Sequence, residues 1–250
     1  MRFVEPVIPV VKFPLGSQVR KMKTEMTAER VYRLVIYIGC FIASYLILKD
    51  SQYLQVYLGG ELETPSYYEN YPCMEEPPHL DDFYMICLSY HLFETVYTIL
   101  YHYQRYDFSE HLLHHFVTIV LIGYSYILKK LPLGCVTMMV MDVSDIFVCL
   151  FKMTVDIHER LVFVTYVFML IGWVYFRLFF FPIYVIKEHY LQGLATGHPA
   201  MTSLIPIETA CLCVLHLLNI FWFWLMVKGI YKRLTANKDD KLKNQMYKVK

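Results

Sequence analysis

The stretch HLLHHFVTIVLIGYSYILKKLPLGCVTMMVMDVSDIFVCLFKM, residues 111–153, decides the fold: two apolar runs joined by a short turn, each carrying ionisable side chains. At 100° per residue, His111, His114 and His115 fall within one arc of the first helix, with Thr118 and Ser125 stacked above His114 and Tyr126 above His115. On the second helix Asp142 and Asp145 share a face, and Lys152 lies two turns below Asp145. A turn at 129–131 makes the two helices antiparallel neighbours. Counted at ~1.5 Å per residue from the end opposite that turn, where the first helix starts and the second finishes, the histidines and Asp145 are both roughly 6–12 Å inside.

Such helices belong in lipid. Of the 250 residues 57% are hydrophobic, mean hydropathy is +0.39, and only 18% are charged, below the quarter usual for soluble domains. Apolar spans of bilayer length are read at about 31–48, 83–104, 111–128, 132–153, 161–186 and 204–229. The expected fold is all-α, an integral membrane bundle of about six transmembrane helices around a central cavity. Its parts are an N-terminal cytosolic or interfacial segment (1–30), the membrane domain (31–229) and a basic C-terminal tail (230–250). Seven Lys or Arg stand at or before Arg33 and eight from Lys228 onward, so the positive-inside rule places both termini in the cytosol, or in the matrix of a mitochondrion. Lys129 and Lys130 are the exception, since they fall on the opposite side with the acidic 49–82 loop. No cleavable signal peptide is expected, because Pro6, Pro9 and Pro14 interrupt the first apolar residues. Seven cysteines without a CxxC indicate neither a disulfide framework nor a zinc site. A net charge of +1 gives no reason to expect a nucleic-acid partner.

Two aspartates at mid-helix depth cost on the order of 5–7 kcal/mol of insertion free energy, so they need partners, and the imidazoles of the preceding helix are the nearest supply. A His–Asp cluster of this kind can act as a plain clamp between helices. It can also work chemically, in three ways. His-x-x-His-His is one box of the membrane di-iron oxygenases, which need about three boxes, and none of the other histidines supplies a second. A metal on His114, His115, Asp142 and Asp145 suits the ligand types, but adjacent residues point about 100° apart, and no metal is expected. Acyl transfer uses the parts best: a desolvated imidazole stays neutral and nucleophilic, while a carboxylate fixes its tautomer. Pairs in the second helix (His91, Glu94) and sixth (His216, Asn219) can face the same cavity or bond between helices. Arg177, read near the end of its span, is expected to snorkel to headgroups.

At these residues the chain resembles the TLC-domain proteins and, within them, the ceramide synthases. Their longevity-assurance motif stands here in register as His114, His115, Thr118, Leu121, Ser125, Tyr126, Gly134, Asp142, Asp145 and Lys152. ERVYRLVIY, QRYDFSE and FRLFFFP resemble flanking family features. The resemblance implies a six-helix core whose cavity receives a fatty acyl-CoA from the cytosol and joins the acyl group to a sphingoid base. It implies that His114 or His115 takes the acyl group or acts as base, oriented by Asp142 and Asp145. Ser125 and Tyr126 are then expected to bind substrate, and Arg105, Lys152, Arg160 or the basic tail to meet the CoA phosphates. The acyl-CoA enters as substrate and no cofactor is implied; the other partners are membrane lipids, and either a second copy of the chain or a larger membrane assembly. The implied compartment is the endoplasmic reticulum membrane, with a mitochondrial membrane as the alternative. The chain departs from the family at Met141, where a histidine is usual, and at Asn219 on the sixth helix. Those departures suit the rival function, a non-catalytic lipid-binding or structural subunit of a membrane complex.

Overall fold

The computed structural model describes residues 3–10, 12–63, 65–103 and 107–235. Six long helices follow one another: α1 (Gln18–Leu48), α2 (Leu80–Tyr101), α3 (Phe108–Ile127), α4 (Leu131–Ile157), α5 (Val162–Ala195) and α6 (Pro199–Thr235). Five are long and apolar enough to cross a membrane by length and composition. The sixth, α3, spans about 30 Å with its 20 residues, and its three histidines lower its hydropathy. Among the described residues there is no β-strand, only one isolated bridge between Gln55 and Leu62. The chain is a multi-pass helical membrane protein, as the apolar periodicity predicts.

Both outer boundaries differ from the sequence expectation. α1 begins at Gln18, well before the apolar run, because Ser17 caps it by accepting a hydrogen bond from the Arg20 N–H (3.2 Å). At about 46 Å it outreaches the hydrocarbon core, and its charged first turns pack on the end of α4. There Lys23 and Arg30 both hold Asp156, at 2.8 and 2.6 Å. The stretch between the spans read at 161–186 and 204–229 is mostly helix. α5 runs on to Ala195, and the connection to α6 is only residues 196–198, with Gly197 at φ +63°. Gly193 lets the two helices close, since a Cβ there would sit 2.3 Å from Ile205 Cδ1. Polar residues made this stretch resemble a loop; His189 is in fact buried within the bundle.

The middle of α5, Val174–Ile186, winds as a π-helix and contains Pro182. A proline inside a helix supplies no N–H and crowds the preceding turn, and the wider π register absorbs both while turning Arg177 inward. On the far side, the 49–79 segment folds over the bundle end. Tyr53, Leu54, Tyr67 and Tyr68 are buried in it, and Gln192 of α5 holds the segment by bonding the Tyr67 N–H and the Pro65 carbonyl at 2.8 and 2.9 Å.

Helices α2 and α4 close tightly at Gly134. A Cβ there would lie 1.7 Å from the Tyr84 hydroxyl, which donates to the Leu131 carbonyl at 2.8 Å. Gly134→Ala must therefore displace a fully buried tyrosine, and thermal unfolding in detergent is expected to show a loss of about 1–3 kcal/mol. Gly123→Ala on α3, where no atom lies within 4 Å, is expected to be neutral or mildly stabilising.

Candidate active site

All six helices line one cavity of about 970 Å³, at the upper end of the range for small-molecule sites. Along α4 it is lined from Leu133 to Lys152, nearly the full thickness of a bilayer core at ~1.5 Å per residue. One end of it is bordered by Met22, Met26 and Arg30 of α1 and by Phe151 and Lys152 of α4.

The α3 face enters this cavity with His111, His114, His115, Thr118 and Ser125, and the α4 face with Asp142, Asp145 and Lys152. The helical spacing thus brings both motif faces into one space. Their pairing differs from the sequence expectation. His115 Nε2 lies 3.3 Å from His111 Nε2, so the imidazole one turn earlier takes the place expected of a carboxylate. One of those nitrogens donates and the other accepts, so the two rings hold complementary tautomers. His114 packs edge-on to Trp222 of α6, ring centroids 5.4 Å apart. Its Nδ1 is buried and meets no hydrogen-bond partner among the described residues.

Asp145 is bound by an arginine and not by an imidazole. Arg177 reaches it at 2.7 Å and also donates to Ser144 Oγ (2.6 Å), Asn219 Oδ1 (3.0 Å) and the Met141 carbonyl (3.2 Å). Its guanidinium stacks on Trp173 at 4.3 Å. Arg177 is 2% exposed, which corrects the expectation that it snorkels: α5 is longer than its apolar run, so Arg177 stands mid-helix, where leaving the bundle would strand the charge in lipid. Asn219, which replaces the family histidine, completes this clamp of α4, α5 and α6. Asp142 makes no hydrogen bond or ion pair among the described residues, and it borders the cavity. The two aspartates therefore divide the work: Asp145 is held, and Asp142 remains available to a ligand.

The remaining expectations separate in the same way. Lys152 borders the cavity at the end shared by α1 and α4. Ser125 lines the opposite end, beside Tyr84. Tyr126 does not line the cavity; its ring packs against the core with Lys129 above it at 5.7 Å. Arg160 is exposed beyond α4 and does not line the cavity either. Arg105 and residues 236–250 of the basic tail lie outside the described residues. His91 and Glu94 both border the cavity, and Glu94 pairs with Arg33 at 2.8 Å, with Glu29 on the same arginine at 3.0 Å. Among the described residues no three His, Cys, Asp or Glu side chains converge as metal ligands.

Sequence reasoning missed a second polar cluster at the far end, where Lys130 pairs with Glu208 of α6. Burial pulls the Lys130 ammonium below the ordinary lysine range, against the opposing pull of Glu208. Lys129 next to it is raised, first by Glu76 of the acidic loop. Both lysines of the positive-inside exception are thus neutralised locally. A glutamate within an apolar span, Glu208, was the signal that could have found this cluster.

Comparison with known proteins places the chain. A TLC-domain family model matches residues 27–228. Ceramide synthase 4 of Bos taurus is 28% identical over 228 residues, 90% of this chain and 55% of that protein. ASC1-like protein 3 of Oryza sativa is 25% identical over 224 residues, 88% of this chain and 76% of its own. Sphingosine N-acyltransferase lac1 of Schizosaccharomyces pombe is 28% identical over 184 residues, 70% and 48% of the two chains. The chain spans about half the length of several curated relatives it matches. With the helical bundle, the shared cavity and the motif residues inside it, the chain belongs to the TLC-domain family, among its ceramide-synthase-like members.

Proposed function

We propose that this protein is an acyl-CoA-dependent N-acyltransferase that moves a fatty acyl group onto a sphingoid base, in the endoplasmic reticulum membrane. The observation that carries the proposal is the joint placement of His114, His115 and an unpartnered Asp142 on the wall of one bilayer-deep cavity; the end bordered by Lys152 is its cytosolic mouth on the expectation of the positive-inside rule. A thioester entering at that mouth, its CoA outside near Lys152, brings its carbonyl to the histidines and its tail into the apolar interior. His115 attacks the carbonyl directly, or draws the proton from the attacking amine; in either route the N–C bond of the amide replaces the C–S bond, and the thiolate leaves with the proton. His111 holds the His115 tautomer ready, and the carboxylate of Asp142 receives the ammonium of the amine and accepts its proton. Exclusion of water by the apolar walls protects the thioester from hydrolysis.

The test is stoichiometric. Purified protein given acyl-CoA and sphinganine is expected to yield amide and free CoA thiol in equal amounts. The rival, a non-catalytic subunit of a membrane complex, is favoured by Met141, which occupies the cavity wall where the family has histidine. It predicts no amide, together with stoichiometric copurification of partner subunits.

A further inference from the structure

The cavity has a floor as well as a mouth. At the far end four side chains from four parts of the chain meet: Tyr68 of the 49–79 segment, Lys130 of the α3–α4 turn, His189 of α5 and Glu208 of α6, all lining the cavity. Glu208 Oε2 accepts from Lys130 and lies 3.2 Å from His189 Nε2, and His189 Nδ1 is 2.7 Å from the Tyr68 hydroxyl. Their exposures are 5%, 2%, 5% and 4% in chain order, so all four members of the chain are buried.

Its depth is fixed by α3. The Lys130 N–H bonds the Ser125 carbonyl at 2.8 Å, and Ser125 stands ten residues from His115, about 15 Å along the helix. That distance is half of a ~30 Å hydrocarbon core, the reach of one ordinary lipid chain. We infer that the buried Tyr68–His189–Glu208–Lys130 chain is the length stop of the acyl tail, so that the site takes long acyl groups of ordinary membrane length and rejects very-long ones. This inference rests on the acyl-transfer proposal.

An ion pair makes a firmer stop than an apolar wall. Packed aliphatic side chains change rotamer to admit a few more atoms, whereas a tail that enters this floor must part Lys130 from Glu208 and leave two buried charges unpaired. Parting them costs on the order of a hundred- to a thousandfold in binding, and further methylenes repay that, at about fourfold each, only where there is apolar space beyond the pair to bury them. Behind the floor the buried Tyr67 and its bond to Gln192 leave the extra length nowhere to go.

The test compares hexadecanoyl-, octadecanoyl- and tetracosanoyl-CoA on the full chain in phospholipid nanodiscs. Amide formed with sphinganine is resolved by chain length, and binding of each acyl-CoA without amine is followed by native mass spectrometry. The two shorter chains are expected to exceed tetracosanoyl by about tenfold or more in both measurements. Removing both charges together, with Lys130→Ala and Glu208→Ala, is expected to raise the tetracosanoyl share by a similar factor. Leu212→Phe adds bulk one turn above Glu208 and is expected to move the preference the other way, toward tetradecanoyl. Equal handling of hexadecanoyl and tetracosanoyl by the unaltered chain, or an unchanged profile in both variants, overturns the inference. Binding that depends on length without amide from any acyl-CoA leaves the length stop standing and removes the transferase proposal.

Discussion

Arg177→Met is expected to lower the stability of the bundle by about 3–5 kcal/mol, because it leaves Asp145 facing the cavity without its counter-charge and strips Asn219 and Ser144 of their donor. In a chain of this size that corresponds to a fall in melting temperature on the order of 10 °C, measurable by thermal unfolding in detergent micelles. Combining it with Asp145→Asn is expected to recover much of the loss, since removing both members of a buried ion pair leaves no orphaned charge. Arg177→Lys is expected to fall between, because an ammonium cannot reproduce four directed bonds and the stack on Trp173. A melting temperature unchanged by Arg177→Met would mean that the clamp of α4, α5 and α6 does not hold the site together.

Asp142→Asn is expected to behave in the opposite way. Asp142 has no partner among the described residues to lose, so the fold is expected to stay within about 1 kcal/mol of the parent chain, or to gain slightly from losing a buried carboxylate. Amide formation is expected to fall by roughly 10²–10⁴-fold, the usual worth of a positioned base. The two aspartates stand three residues apart on one face, and a role shared equally between them predicts equal effects. The structure separates them: Asp145→Asn is expected to cost mainly stability and Asp142→Asn mainly rate. Side-by-side melting and turnover of the two variants reads this directly.

The inner half of the site was legible because its signals are periodic. Three histidines at spacings of three and one, and two aspartates at a spacing of three, must each share a helical face, and polar faces in lipid turn inward. Who pairs with whom was not legible, because pairing depends on helices distant in sequence. Arg177 illustrates the cause: with α5 ended at 186 it stood nine residues from the boundary, within reach of headgroups, whereas the helix continues to Ala195. Glu208 is hidden for the matching reason: with α6 read from 204 it stands close to a span end, and its partner Lys130 lies in a turn distant in sequence. His115 was given a carboxylate neighbour by analogy with catalytic dyads, but the nearer group is one turn away on its own helix. Tyr126 followed the motif in sequence but faces the packed core, a matter of rotation along α3 that motif register alone cannot assign.

On this account the histidine pair of α3 transfers the acyl group. The most direct measurement incubates the purified chain with labelled hexadecanoyl-CoA and sphinganine and compares it with His115→Ala at equal folded concentration. Amide from the parent chain, reduced at least about a hundredfold in the variant, is the expected result. Amide formed equally well without His115, or none from the parent chain, would contradict it.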